Sequence, residues 1–187
     1  MAGPETLNPL PPPAPGGRRP DRAAMLRVDQ AGEYGATRIY AGQLAVLGDR
    51  APCSRPIARM AAQEEAHRQR FDAMLAERGV RPTLLQPVWH VAGFALGAAT
   101  ALIGPEAAMA CTAAIETEID RHYGEQLQEL EGDDPELASA IAEFRAEEVE
   151  HRDTAILEGA ERAPAYPLLT AAIRLGCRAA IGLSKRI

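Results

Sequence analysis

Two stretches of the chain repeat one arrangement of metal-binding side chains, and few folds can use it. Glu33 precedes Glu64-Glu65-Ala66-His67, with 31 residues from Glu33 to Glu64; Glu116 precedes Glu148-Val149-Glu150-His151, with 32 residues from Glu116 to Glu148. Each half therefore holds a segment with a lone Glu, then a segment with Glu-x-x-His. Only four His occur in all 187 residues, so composition alone does not account for two of them standing at this spacing.

The repeat sits on helices. Residues three apart share a face of an α-helix, which lets Glu64 point with His67 and Glu148 with His151. Punctuation agrees. Pro20-Asp21 opens a helical segment reaching about Leu47, and "GDRAPC" ends it. Ser54 is the expected cap of the next helix, with Pro56 in its first turn; that helix runs to "ERGVRP". Val88–Ile103 is an apolar segment, interrupted by Gly104-Pro105, and a helix follows to about Leu130. Asp134 caps a helix beginning at Pro135 and reaching about Glu158, and a last helix covers roughly Leu168–Ser184. No segment alternates with the period of a strand. Hydrophobic content of 47% with only 4% aromatic residues puts the apolar mass in Ala and Leu, which favour helix.

The expected fold is all-α: a ferritin-like four-helix bundle, with a long apolar crossover in the 52 residues from Glu64 to Glu116 and an additional C-terminal amphipathic helix. In such bundles a Glu from each of two helices and Glu-x-x-His from each of the other two converge on a pair of metal ions. The expected ligands are Glu33, Glu64, His67, Glu116, Glu148 and His151. Four core carboxylates repel one another by about 4 kcal/mol per close pair at an effective dielectric of 20, and two divalent cations neutralise them. Neighbouring pairs, Glu65 with Arg68 and Glu147 with Glu150, read as solvated surface.

Gly32 and Gly35 flank Glu33 inside a helical pattern, at about 1 kcal/mol each relative to Ala. Close packing or room for a ligand would justify them; a helix break at Gly32 is the alternative. Asp29 is either the carboxylate that accepts a hydrogen bond from a ligand His or a surface Asp. Tyr123, two turns beyond Glu116, is either a redox or proton-relay group or a core Tyr. Trp89 reads as a packing or interfacial residue, and His90 is given no role.

Composition excludes other classes. A net charge of −6 lacks the basic face that nucleic-acid binding needs. Cys53, Cys111 and Cys177 are odd in number and widely spaced, without a CxxC pair, which points to a reducing compartment. Residues 1–20 contain seven prolines and read as a disordered Pro-rich arm ahead of a domain spanning 21–187. No secretory signal or convincing targeting peptide is evident.

The motifs "LRVDQAGEYGATRIYAGQ", "GFALGAATALIGPEAAMACTAAIE", "HYGEQ", "FRAEEVEHRD" and "APAYPLL…GCRAAI" resemble those of the demethoxyubiquinone hydroxylase family of ubiquinone biosynthesis, over nearly everything after residue 22. The resemblance implies a monooxygenase with two iron ions (Fe2+/Fe3+) held by the same six residues. It implies that dioxygen hydroxylates a polyprenylated demethoxyquinone, and that His122 and Tyr123 pass electrons towards iron. Gln30 stands where many members carry His, which puts in question the tuning around Glu33. No Gly-x-Gly-x-x-Gly fingerprint is present, so NADH as electron donor would act directly or through a partner.

A membrane-bound substrate calls for membrane contact. Pro82–Gly104 contains no Asp, Glu, Lys or Arg. Its centre is short for a span of about 20 residues and suits a buried or interfacial helix; Gly93 and Gly97 permit close helix contact there. The last helix places Arg174, Arg178 and Lys185 on one stripe and Leu169, Ile173, Ala180 and Leu183 largely on another. That describes a membrane-surface helix or one packed on the bundle or on a second subunit. Segments 88–104 and 168–184 are the expected membrane-associating ones. The expected location is peripheral, on the cytoplasmic side of the cell membrane, with room for a homo-oligomer and for accessory ubiquinone-pathway proteins. Two rival readings are an iron-oxidising storage protein and a non-enzymatic scaffold docked to the membrane.

Overall fold

A computed structural model describes residues 20–187, so the expected arm lies outside the described residues except for Pro20. Six helices run in order: α1 (Arg22–Leu47), α2 (Ser54–Glu77), α3 (Gln86–Ile103), α4 (Pro105–Leu130), α5 (Pro135–Leu157) and α6 (Tyr166–Ser184). A 3-10 turn at Ala160–Arg162 joins the last two. No strand occurs among the described residues. The expected helical bundle and its apolar crossover are present.

The local signals act much as their chemistry dictates. Asp21 caps α1 by accepting from the Ala24 amide at 3.0 Å, and Asp134 caps α5 through the Leu137 amide at 3.2 Å. Gly104 takes a φ of 151° at the α3–α4 corner, in the region that favours glycine. Ser54 is a correction. Cys53 occupies the cap position of α2 without a side-chain bond, and Ser54 is already helical and buried. The preceding turn enters the helix one residue early, since Cys53 is itself in the αR conformation. α1 is unbroken at Gly32 and Gly35.

α1 and α2 form one antiparallel hairpin and α4 and α5 another, while α3 crosses between them and packs mainly along α1. The α1–α3 contact is backbone on backbone. A Cβ at Gly97 would overlap the Ile39 carbonyl, and one at Gly42 would overlap the Phe94 carbonyl. Gly93 is nearly as close, with its would-be Cβ 3.0 Å from the Gly35 carbonyl oxygen. The glycine spacing in α3 therefore serves close helix approach.

The core is divided. One apolar cluster joins Tyr40, Ile57, Met60, Met109 and Ala155; a second joins Leu26, Phe71, Met74, Leu130, Leu137 and Phe144. The buried Glu and His side chains lie between them in sequence on α1, α2, α4 and α5. A third cluster, Ile39, Cys111, Ile115 and Ile173, seats α6.

α6 is also tied to α4 by charge. Arg174 and Arg178 both bind Glu118, at 2.6 and 2.9 Å, and Arg121 adds a third contact at 3.1 Å. Glu118 is fully buried, and a carboxylate there requires such partners. Hydrogen bonds from Arg178, opposed by burial and joined by Arg174 and Arg121, hold its carboxyl at about 2. Two of the three basic residues of the α6 stripe, Arg174 and Arg178, are therefore paired with Glu118, although their side chains remain 39% and 49% exposed.

Two outcomes follow. Gly97→Ala should cost about 1–3 kcal/mol through overpacking, while Gly35→Ala, with open space around its Cβ, should gain up to about 1 kcal/mol; thermal unfolding of both variants checks the pair. Glu118 stabilises the fold above its unfolded pKa near 4.3 and loses that contribution as pH falls towards 2. Glu118→Gln should therefore destabilise by roughly 1–3 kcal/mol at neutral pH, discounted for the partly hydrated arginines. The gap between variant and parent in urea unfolding should close between about pH 5 and pH 2.

Candidate metal centre

The six expected ligands meet in one place. Glu33, Glu64, His67, Glu116, Glu148 and His151 are all at most 3% exposed. Donor atoms of Glu33, Glu64, His67 and Glu148 lie within 4.8 Å of one another, as do those of Glu64, Glu116, Glu148 and His151. Glu64 and Glu148 belong to both groups, so the arrangement offers two adjoining cation positions with two shared carboxylates. The His67 and His151 rings stack at a centroid separation of 6.5 Å. Their Nδ1 atoms face the carboxylates: His67 Nδ1 is 3.2 Å from Glu148, and His151 Nδ1 is 3.1 Å from Glu64 and 3.0 Å from Glu148.

The chemistry of this donor set fits divalent metal. Glu64 Oε1, Glu148 Oε1 and His67 Nδ1 are buried without a well-aligned hydrogen bond, although His67 Nδ1 lies 3.2 Å from Glu148 Oε1 and His151 Nδ1 lies 3.1 Å from Glu64 Oε1. Orphaned polar atoms of this kind cost about 1–3 kcal/mol each, and cations would satisfy all three. In the metal-free protein, protons take the cations' place. Burial and the Glu148 charge push the carboxyls of Glu64 and Glu116 well above the usual range. Burial acts against charge on His67, but the adjacent carboxylates of Glu148 and Glu33 win and raise it to about 10. Glu148 moves the other way: burial is overcome by His151 and His67, which hold it at about 2. Imidazole and carboxylate ligands together suit iron, manganese or zinc more than magnesium or calcium.

Each lone Glu is held from the opposite helix. Tyr40, seven residues after Glu33 on α1, donates to Glu116 at 2.8 Å. Tyr123, seven residues after Glu116 on α4, donates to Glu33. Both hydroxyls are buried beside carboxylates, and burial followed by the nearby negative charge raises their pKa well above the ordinary value. Tyr123 was legible in the sequence; Tyr40 was not, although the shared seven-residue offset marks it as the counterpart in the other half.

His122 lies one residue from Tyr123 in the chain and directs Nε2 at Asp29 Oδ1, 3.2 Å away. Asp29 also accepts from Gln126 at 2.9 Å, and burial raises its pKa. It is therefore neither a surface Asp nor the partner of a ligand His; its histidine is His122. Gln30 is buried and donates to Asp72 at 2.9 Å. Trp89 donates from its indole to Ser184 at 3.0 Å, pinning α3 to the end of α6. His90 pairs with the Tyr34 hydroxyl at 2.7 Å, at an exposed position.

Glu147 is a further correction. Glu65 does pair with Arg68 at the surface, at 2.6 Å, but Glu147 turns inward. Its Oε2 lies 3.1 Å from His67 Nε2 and accepts from Gln63 Nε2 at 2.9 Å. Gln63 Oε1 in turn lies 3.1 Å from His151 Nε2. A helical residue directly before a ligand can reach the ligand of a facing helix, and the shared position before each Glu-x-x-His motif was the available signal.

Two cavities lie beside this centre, and His67 lines one of them. An apolar groove of about 570 Å3 runs between α1, α3, α4 and α6, lined by residues including Gly32, Gly35, Ile39, Trp89, Gly93, Ile115, Ile173 and Cys177. Gly32 and Ile115 adjoin Glu33 and Glu116 in the chain, so the groove lies along the helices that bear the lone carboxylates. The two glycines flanking Glu33 leave the space that the groove occupies. On the other side, a polar cleft of about 500 Å3 between α2 and α5 is lined by Gln63, His67, Arg70, Glu143, Phe144 and Glu147, among others.

Known proteins resemble this sequence over most of its length. A 3-demethoxyubiquinol 3-hydroxylase of Rhodospirillum rubrum is 56% identical over 163 residues, which covers 87% of this chain and 77% of the relative. The human protein named NADPH-dependent 3-demethoxyubiquinone 3-hydroxylase, mitochondrial, is 51% identical over 167 residues, 87% of this chain and 76% of its own length. The protein of that name from Caenorhabditis elegans is 44% identical over 167 residues, 87% of this chain and 89% of the relative. Residues 21–184 match the family of the ubiquinone biosynthesis protein COQ7, and the chain belongs to that family.

Proposed function

We propose that this chain is a demethoxyubiquinone hydroxylase, that its two cation positions take iron, and that dioxygen supplies the inserted oxygen atom. The observation that carries this reading is the closeness of two features along α1 and α4. Glu33 and Glu116 belong to the buried ligand clusters, and their chain neighbours Gly32 and Ile115 line an apolar groove that suits an aromatic ring with a long hydrocarbon tail. The names of the relatives from Rhodospirillum rubrum and human agree with it.

Iron in these positions would supply the redox chemistry towards dioxygen that amino-acid side chains lack. The residues do the rest. Glu64 and Glu148 span the two positions; Glu33 with His67 and Glu116 with His151 complete them. The groove walls exclude water and orient the quinone ring. Tyr123 holds a proton at its hydroxyl oxygen, shared with Glu33, and His122 stands beside it, fixed by Asp29. The role assigned to this pair is to pass electrons and protons between a reductant or quinol and the metal positions. The names of several relatives specify NADPH dependence, so a reduced nicotinamide, NADH or NADPH, is the proposed donor.

A polyprenylated substrate dissolves in a bilayer, and the outer face of the chain suits contact with one. Val91 and Leu102 of α3 and Leu168 and Leu175 of α6 are 67–75% exposed. Contiguous exposed apolar surface marks an interaction site. α3 is apolar and long enough to cross a membrane by length and composition, but its glycine face is buried against α1. Segments 88–104 and 168–184 are proposed to lie in the interface of the cytoplasmic membrane leaflet, as parts of one domain covering 21–187.

Anaerobic reconstitution with ferrous iron, followed by oxygen, demethoxyquinone and a nicotinamide reductant, tests the reaction. The parent chain should bind two irons and yield the hydroxylated ring by mass spectrometry. Glu148→Ala should lower both metal affinity and product by more than roughly 100-fold, because a shared ligand exceeds the 10–100-fold effect of its supporting contacts. Uptake well beyond two irons would favour storage, and parent protein without product would favour a scaffold. Replacing Val91, Leu102 and Leu175 together by Ser should weaken sedimentation with anionic lipid vesicles at least about tenfold, given roughly 1.5–3 kcal/mol per buried side chain, while iron uptake remains intact.

A further inference from the structure

The two metal positions have near-twin ligands, yet the contacts behind those ligands differ. Glu33 and Glu116 each accept from a buried tyrosine of the opposite helix, so the tyrosines do not distinguish the positions. The histidines do differ. His67 Nε2 faces the carboxylate of Glu147 at 3.1 Å, and His151 Nε2 faces the amide oxygen of Gln63 at 3.1 Å. Gln63 Nε2 then donates to the same Glu147 oxygen at 2.9 Å. One continuous chain of hydrogen bonds therefore joins the two rings across the α2–α5 cleft, with a single anion, at the His67 end.

The chemistry permits only one anion in this bridge. A carboxylate at position 63 would stand within hydrogen-bond distance of Glu147 and repel it unless a proton lay between them. With Gln63, every donor has an acceptor: His151 donates to Gln63, while Gln63 and His67 donate to Glu147. A ring whose distal N–H is held by a carboxylate gives more electron density to its metal than one held by a neutral amide, and such supporting contacts change affinity by about 10–100-fold. The Glu147 charge also lies on the His67 side, where it adds attraction for a cation. Water reaches it through the cleft, since its side chain is 32% exposed.

We infer that Gln63 and Glu147 are positioning residues that rank the two metal positions: the one completed by Glu33 and His67 fills first and holds its ion more tightly than the one completed by Glu116 and His151. This rests on the two-metal reading above. The consequence is stepwise loading, with a singly occupied form whose open position adjoins His151.

Anaerobic titration of the metal-free full chain with Co2+, followed by visible absorbance and repeated with Fe2+ by calorimetry, tests it. The parent should bind two ions with constants separated by about 10-fold or more. His151→Ala should retain the tight ion and lose the weak one; His67→Ala should do the reverse. Glu147→Gln should weaken the first step by about 10–100-fold and leave the second within a few-fold. The exchange pair Q63E/E147Q, which keeps one anion in the bridge, should restore two unequal steps with the tight ion now lost in the His151→Ala background instead. Circular dichroism and thermal unfolding of each metal-free variant separate lost binding from lost fold. Equal steps in the parent, or an unchanged first step in Glu147→Gln, would overturn the ranking while leaving the two-metal reading in place. No binding by the folded parent would overturn that reading itself.

Discussion

Four carboxylates in the middle of a helical bundle repel each other and lack water, and most of the architecture can be understood as accommodating them. Glu33, Glu64, Glu116 and Glu148 come from four different helices, so their mutual repulsion pushes the helices apart. The clusters around Met60 and Phe71 flank the polar layer and hold the bundle closed. Within the layer, compensation comes from inside: two histidines, two tyrosine hydroxyls and raised pKa values on Glu64 and Glu116. These devices leave three ligand atoms without a well-aligned hydrogen bond, and the layer could hold cations there.

That polar layer also explains where the cavities lie. Direct contacts between α1 and α4, and between α2 and α5, are sparse beside those within each hairpin. The converging Glu and His side chains stand between these facing helices, with an apolar groove on one side and a polar cleft on the other. The two sides receive different chemistry because different helices cover them. α3 and α6 lay apolar residues over the α1–α4 side, whereas α2 and α5 present Gln, Glu and Arg at theirs. The two sides of the centre thus offer an apolar and a polar environment.

The helices, their order and the six converging ligands could be read from the sequence because each signal repeats. Two copies of Glu-x-x-His, two lone Glu and Pro or Gly at the helix ends reinforce one another. What escaped were contacts with no periodic signature. Glu118 is an ordinary acidic residue until α6 brings Arg174 and Arg178 onto it, 56 and 60 residues away. The same contact ties two of the three basic residues of the α6 stripe to the bundle while leaving them 39% and 49% exposed, a pairing that the amphipathic pattern of the helix does not reveal. Glu147 was taken for surface because its helical position borders the exposed side, and only the placement of α2 turns it towards His67. The cap of α2 moved by one residue for a local reason, the αR conformation of Cys53.

The internal repeat carries a further meaning once both halves are superimposed in thought. Glu33 and Glu116, Tyr40 and Tyr123, Gln63 and Glu147, Glu64 and Glu148, His67 and His151 pair off at equivalent positions, and every member touches its counterpart's side of the site. A site with perfect twofold character would treat its two ions alike. Departures from symmetry therefore carry the information about which ion does what, and they concentrate in a few places. Gln63 replaces a carboxylate opposite Glu147. His122 and its Asp29 partner stand on the α4 side beside Tyr123. Both departures fall beside the ligands of one position, Glu33 through Tyr123 and His67 through Glu147. The chain thus gives its more elaborate hydrogen bonding to the cation position between α1 and α2, and leaves the ligands contributed by α4 and α5, Glu116 and His151, with the simpler contacts of Tyr40 and Gln63.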